Sequence, residues 1–268
     1  MKVRFLLVTG YLGAVIGAGF ASGQEISQFF VIYGYNGLKG VILAWILFIL
    51  CGAFLLYFAH EQNTCQYQQI VDLLLGKKAG QIIDVLLAVF LFVGISTMLS
   101  ASGALAHEHF FLPKILGILL SYAFILLILF SGRKGLFLSF YFLVPIKILL
   151  LLIITGLLFF TEPKTSIADL APYLPGIQNR WPLSSLLYVA YNFALAMVVL
   201  TEYQSISGKR DGIIGAAWGG IILGLLVSLS YFALLHFSPA IFHYQVPMLY
   251  VAGNLSVSAK YIYTAVLS

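Results

Sequence analysis

The sequence predicts an all-α, polytopic membrane protein. Of its 268 residues, 62% are hydrophobic and 9% are charged, whereas ordinary soluble domains carry about 25% charge. Mean hydropathy is +1.03. Apolar runs of about 18 or more residues, the length that spans hydrocarbon, recur from one end of the chain to the other. Neither a long polar linker nor a separate soluble domain interrupts them. The net charge of +5 reads as a topology signal and not as a nucleic-acid footprint, so a lipid bilayer is expected as partner and nucleic acid is not. The first apolar run leads into glycines and a Gln-Glu pair, which is not the pattern of a cleaved signal peptide. Cys51 lies in an apolar run and Cys65 in a polar loop, and the two are expected to remain thiols.

Segment 1 runs from Arg4 to about Tyr33, with a glycine-rich break near Gly17–Gly23, and segment 2 covers Leu38–Ala59. The polar stretch His60–Lys78 follows, holding a short apolar piece at Ile70–Leu75 that suits an interfacial helix. Segments 3, 4 and 5 are Ile82–Ala106, Pro113–Phe130 and Leu136–Phe160. The loop Thr161–Trp181 is rich in proline. Segment 6 is Leu183–Ser205 and segment 7 is Gly212–Phe237, with an aromatic-rich loop from Ser238 to Gly253. An eighth segment begins near Leu255 and has about fourteen residues before Ser268, fewer than the ~20 that cross ~30 Å of hydrocarbon. The expectation is therefore a piece of a longer bundle, or a chain that needs partners to complete it.

Lysine and arginine placement gives orientation. With the N-terminus inside, Lys2, Arg4, Lys77, Lys78, Arg133, Lys134, Lys209 and Arg210 fall on the inner side, against Lys39, Lys114, Lys164 and Arg180 outside. The larger inner set predicts a multi-pass protein of the cell membrane with a cytoplasmic N-terminus.

The most informative stretch is Gly10-Tyr-Leu-Gly-Ala-Val-Ile-Gly-Ala-Gly-Phe-Ala-Ser-Gly-Gln-Glu25. Glycine costs about 1 kcal/mol against alanine inside a helix, and a carboxylate at membrane depth costs several kcal/mol unless paired or hydrated. Phe5–Val15 and Gln24–Gly34 would be two half-helices of about eleven residues, or about 16 Å, each. The break then falls at the midplane, where irregular backbone is tolerated only inside protein or beside a cavity. Its free N–H groups suit a substrate carboxylate and its free carbonyls a cation. The competing reading is a close-packing face, because Gly13-xxx-Gly17 and Gly19-xxx-Gly23 both have small-xxx-small spacing. Ser22, Gln24 and Glu25 at the same depth favour a site.

On segment 6, Tyr188, Tyr191 and Asn192 share one side of an apolar helix, either as a helix–helix hydrogen bond or as part of a second broken helix facing the first. Lys147 lies near the centre of segment 5, two residues after Pro145, too deep to snorkel easily. It reads as a proton-exchanging residue or as one half of a static pair with an acid such as Glu25. His107-Glu108-His109 resembles a metal cluster, but residues two apart do not share a helix face, so no metal is expected there. The chain carries no phosphate-binding loop, nucleotide fingerprint or catalytic-triad spacing, so no enzyme activity and no organic cofactor are expected.

The phrase Gly13-Ala-Val-Ile-Gly-Ala-Gly-Phe-Ala-Ser-Gly-Gln-Glu25 resembles the first helix of the YkvI-type membrane proteins, which are similar to the amino acid-polyamine-organocation superfamily with its LeuT-type fold. This resemblance implies two inverted repeats of five helices, with residues 1–160 as the first repeat and residues 161–268 as a truncated second. It implies that helices 1 and 6 are broken and form a mid-membrane substrate site. Sodium-coupled members of the superfamily often hold an ion between helices 1 and 8, and some proton-coupled members place a lysine of helix 5 there. Lys147 matches that lysine, with Ile16 and Gly17 as neighbouring backbone.

Together these features predict a secondary active transporter of a small solute, an amino acid or related carboxylate, coupled to H+ or Na+. Gly17, Ala18, Gly19, Ser22 and Gly23 would bind the solute's carboxylate. Tyr191, Asn192 and Phe193 would form the opposite wall, with Lys147, Glu25 and Ile16 at the ion-coupling position. Segments 1, 2, 6 and 7 would rock against segments 3, 4 and 8. The alternative is a membrane receptor or sensor subunit that binds a solute without moving it.

Overall fold

The computed structural model describes residues 2–158 and 179–255, all helix and connecting turns with no strand among them. The first segment is three helices, α1 (Lys2–Val15), α2 (Ala18–Ser22) and α3 (Gln24–Phe29), followed by a 3-10 turn at Val31–Tyr33. Long helices follow: α4 (Asn36–Glu61), the short α5 (Tyr67–Leu75), α6 (Lys77–Phe110), α7 (Lys114–Phe130) and α8 (Gly132–Leu158). Past the proline-rich loop come α9 (Trp181–Glu202), α10 (Lys209–Leu235) and α11 (Pro247–Leu255). Among the described residues, five helices, α4, α6, α8, α9 and α10, contain stretches long and apolar enough to cross a membrane. Most of the loop expected at Thr161–Trp181 and the remainder of segment 8 lie outside the described residues.

Several expectations change. The second half of segment 1 does not continue to Gly34: α3 ends at Phe29, and the chain tightens into the 3-10 turn before Gly34, whose φ of 56° suits glycine. Segment 6 is not broken. α9 runs unbroken from Trp181 to Glu202, and one Asn192 N–H bonds back to the Tyr188 carbonyl one turn earlier (3.1 Å) within it. Helix α11 starts at Pro247, earlier than the expected start of segment 8, with proline at its first position, where a missing N–H costs nothing.

Helices α1, α4, α9 and α10 form one tightly packed body. On α10, Gly212, Ala216, Gly220 and Gly224 recur every fourth residue and let α4 approach to backbone contact: a Cβ on Gly220 would lie 2.7 Å from Ile49 Cα, and one on Gly224 would collide with Trp45. The adjacent row, Gly215 and Gly219, receives Leu7 and Tyr11 of α1. Tyr11 is fully buried there and donates its hydroxyl to the Phe48 carbonyl (2.8 Å). At the far end of α10, Tyr231 donates to the Gly34 carbonyl (2.6 Å) and pins the turn after α3.

The opposite end of this body is polar. Arg4 pairs with Asp211 (2.6 Å), Lys209 with Glu61, and the Gln204 amide donates to Asn63 Oδ1 (3.0 Å). Cys51 and Cys65 are free thiols, and Cys65 Sγ donates to Gln204 Oε1 (3.0 Å). Beside this end helix α5 buries Ile70 and Val71 and leaves Leu73, Leu74 and Leu75 exposed. Its Tyr67 hydroxyl donates to Asp84 of α6. Burial first, and that carboxylate second, push the Tyr67 phenol up to about 12.

Candidate functional site

The site grows from the glycines of the first segment, which divide into two groups. Gly10 and Gly13 are packing residues: Gly10 lies under the Tyr203 ring, and a Cβ on Gly13 would meet Phe140 (2.5 Å) and Val144 (2.8 Å) of α8. Gly17 and Gly23 are backbone joints. Gly17 takes an extended conformation (φ −83°, ψ −171°), and its N–H turns back to the Val15 carbonyl (2.8 Å), so the Gly13 carbonyl loses its helical donor. Gly23 is left-handed (φ 78°), a conformation that strains any residue with a Cβ, and it both ends α2 and starts α3. The packing reading therefore holds for Gly13 and not for Gly17, which with Gly23 is a joint in the backbone.

The joints bracket a helix and not an open gap. Ala18–Ser22 was expected as unwound backbone and forms the single turn α2. Part of its hydrogen bonding is local. The Ala21 N–H bonds to the Gly17 carbonyl (3.0 Å) and the Gly23 N–H to the Phe20 carbonyl (3.0 Å). The Ser22 hydroxyl donates to the Gly19 carbonyl (2.9 Å) and accepts from the Gln24 N–H (3.3 Å).

Gly19 has a different task. The Glu25 carboxyl folds back over it, and a Cβ at this position would collide with Glu25 Oε1. Because α3 packs on α9, the carboxyl faces Tyr188, Tyr191 and Asn192. Tyr188 is fully buried, Asn192 is 1% exposed, and Glu25 Oε2 together with the Tyr188 and Tyr191 hydroxyls is buried with no hydrogen-bond partner. Rings close the surroundings. Phe29 stacks on Tyr191 (centroids 5.7 Å apart), Phe30 meets Tyr188 edge-on (4.9 Å), and Phe90 of α6 approaches Tyr191 (6.3 Å). A carboxyl oxygen and two phenol hydroxyls without partners, beside the Asn192 amide, form a concentrated polar set in an aromatic shell, which buried side chains ordinarily avoid.

The structure thus brings together Gly19, Glu25, Tyr191 and Asn192 from the predicted set and adds Tyr188, the direct neighbour of both Tyr191 and Glu25. The others stand apart. Phe193 points to Tyr11 on another side of α9 (6.5 Å), Ile16 is buried at the end of α1, and Gly17 faces Met98 of α6. Lys147 is half-buried on α8, one turn beyond the Val144 that touches Gly13, and makes no ion pair among the described residues. The static Lys147–Glu25 pair is not formed. Phe29, Phe30 and Phe90 were not predicted, since apolar rings in an apolar chain carry no distinguishing signal.

No family profile matches the chain, and no solved structure matches it. Among curated proteins, it is 33% identical over 260 residues to "Uncharacterized membrane protein YkvI" of Bacillus subtilis (strain 168), spanning 96% of this chain and 73% of that protein. It is 25% identical over 263 residues to "Uncharacterized protein YyaD" of the same organism, again over 96% of this chain and 73% of the relative. Both alignments run across the glycine joints, the Glu25 cluster and the long helices alike, and by the first of them this chain belongs to the YkvI family of membrane proteins.

Proposed function

We propose that this chain builds the solute site of a secondary active transporter in the cell membrane, N-terminus inside, that moves an amino acid or related small carboxylate coupled to H+ or Na+. The observation that carries this is the joint-and-cluster arrangement: a first segment jointed at Gly17 and Gly23, with Glu25 beyond the second joint held against unmatched polar groups of the continuous α9. Discontinuous membrane helices place backbone polar groups and ionisable side chains at mid-depth, where solutes and coupling ions bind. Packing supports the moving parts. Helices α1, α4, α9 and α10, the predicted rocking set, form one body, while α6 and α7 pack chiefly on each other. Residues 1–160 would form the first of two repeats and the rest part of the second. Lys147, one turn past the contact between α1 and α8, is the second coupling candidate.

Uptake of radiolabelled amino acids into proteoliposomes, with and without an imposed pH or sodium gradient, tests this. Gradient-driven accumulation is the expected result. Binding without accumulation would overturn it and favour a receptor that does not transport. A Lys147→Ala variant with undiminished pH dependence removes Lys147 from coupling and leaves the transport reading standing.

A further inference from the structure

We infer that Glu25 is the proton-binding group of this site: its carboxyl is neutral while α3 lies closed on α9, and it gives up one proton when α3 moves away. The inference rests on the transporter reading for its consequence but on geometry for its content.

Glu25 stands on a six-residue helix between the left-handed Gly23 and the 3-10 turn at Val31–Tyr33. The carboxyl is therefore carried by an element with a joint at each end. In the closed arrangement, no positive group faces it among the described residues. α9 presents Tyr188, Tyr191 and Asn192. Tyr231 of α10 is committed to the Gly34 carbonyl, and His236 at the end of α10 lies in a separate groove with Trp45 and Thr155. Tyr250, the titratable residue of α11, stacks on Tyr244 (4.2 Å), and α2 carries no ionisable side chain. Lys209, Arg210 and Asp211 of α10 and Glu202 of α9 lie at the far ends of their helices.

The hydrogen-bonding inventory accommodates the acid form, which the burial and the absence of a facing cation among the described residues favour. One Asn192 N–H is committed to the Tyr188 carbonyl, which leaves its second N–H as a donor and its oxygen as an acceptor toward the carboxyl. A protonated Glu25 donates to that oxygen or to a tyrosine hydroxyl, and the orphaned Oε2 gains a use. An ionised Glu25 would find only the neutral donors Tyr191 and Asn192 inside the aromatic shell of Phe29, Phe30 and Tyr191, with no cation among the described residues to offset its buried charge. Closure then takes up one proton and opening releases one. The sign follows: acid favours the closed arrangement, and rising pH favours release of α3.

Infrared difference spectra of the purified chain between acid and alkaline pH test this without any solute. A protonated-carboxyl carbonyl band that titrates and disappears in Glu25→Gln is expected. In Glu25→Asp, which keeps the acid should the glutamine variant misfold, the band should shift and persist. An unchanged band in Glu25→Gln overturns the inference. The second arm is uptake of radiolabelled amino acids into proteoliposomes under a pH gradient, where Glu25→Gln should lose at least tenfold in gradient-driven accumulation. Full accumulation by Glu25→Gln overturns the proton role while transport stands. A titrating Glu25 band in a chain that never accumulates solute overturns transport and supports the proton site.

Discussion

Helices α10 and α6 are both long and apolar, and α6 is the more apolar of the two, yet half of the α10 span is buried inside the protein against 6% of the α6 span. Hydrophobicity therefore does not decide which helix joins the body. Lipid is as apolar as leucine, so a membrane helix gains little by hiding a leucine from it, and close backbone approach must supply the association. α10 offers that approach through rows of glycines spaced at four residues. α6 shows Ile82, Val85, Leu86, Phe92 and Val93 on its outside, and its Gly94 has no neighbour within 4 Å for a Cβ to meet.

The largest expected effect breaks this contrast directly. Gly220→Val should cost about 3 kcal/mol and strip the protein of a single sharp melting transition, because the new Cβ faces Ile49 backbone, which cannot rotate away. Gly94→Ala should instead stabilise by roughly 0.5–1 kcal/mol through helix propensity alone. Thermal melts of both variants in one detergent make the comparison. Equal losses would mean that α6 is packed against something as closely as α10 is.

The next effect concerns function more than stability. In Gly19→Ala, the added Cβ meets the end of the flexible Glu25 side chain and not backbone, so the fold should survive while the carboxyl swings off its seat. Gradient-driven uptake should fall about tenfold, equivalent to about 1.4 kcal/mol, with a melting temperature close to the parent. A loss of folded protein would place Gly19 with the packing glycines Gly10 and Gly13.

Much of the fold was legible in the sequence because membrane helices announce themselves by length and apolarity. The C-terminal end of α1, both ends of α4 to within two residues, and the short helix α5 fall where the apolar runs and the polar stretch place them. What was not legible depends on local hydrogen bonding. Whether Asn192 breaks its helix or bonds back to Tyr188 is a matter of one rotamer, and only the three-dimensional arrangement shows which. In the same way, Ala18–Ser22 looked like open backbone because its glycines permit that, yet the Ser22 hydroxyl and the Gly23 N–H close it into a turn. Among site residues, Glu25 and Asn192 stood out as polar groups in an apolar chain. The glycine rows of α10 carry the same small-xxx-small spacing as the first segment, and counting that spacing on every segment would have found them.

A third, smaller effect separates tyrosines inside the body. Tyr11 and Tyr188 are both fully buried, but Tyr11 donates to Phe48 and Tyr188 has no partner for its hydroxyl. Tyr11→Phe should lose about 1 kcal/mol, and Tyr188→Phe should gain about 1 kcal/mol by deleting an unmatched buried group. If the Tyr188 hydroxyl serves the site, the same variant should bind or accumulate solute less well. Stability and activity would then move in opposite directions, a pattern that a purely structural tyrosine does not give.

The smallest effect lies at the polar end of the body. Arg4 and Asp211 make two close hydrogen bonds from α1 to α10, at 2.8 and 2.6 Å, yet both side chains are nearly half exposed. Water screens such a pair and salt weakens it further, so its contribution to stability is small however good its geometry. Arg4→Gln should leave the melting temperature unresolved from the parent at moderate salt. If the first turn of α1 frays from the rocking body at its polar end during a transport cycle, however, the pair is made in one state and broken in the other. A small bias is then enough to shift populations, since a change of about 1.4 kcal/mol in the balance moves it tenfold. Accessibility of a single cysteine placed at Leu6 to a water-soluble thiol reagent, in a background with Cys51 and Cys65 replaced, should therefore rise in Arg4→Gln at low salt. The same rise should appear in the parent as salt increases. An accessibility that responds to neither would assign the pair to static surface charge and confine the moving parts to the joints at Gly17 and Gly23.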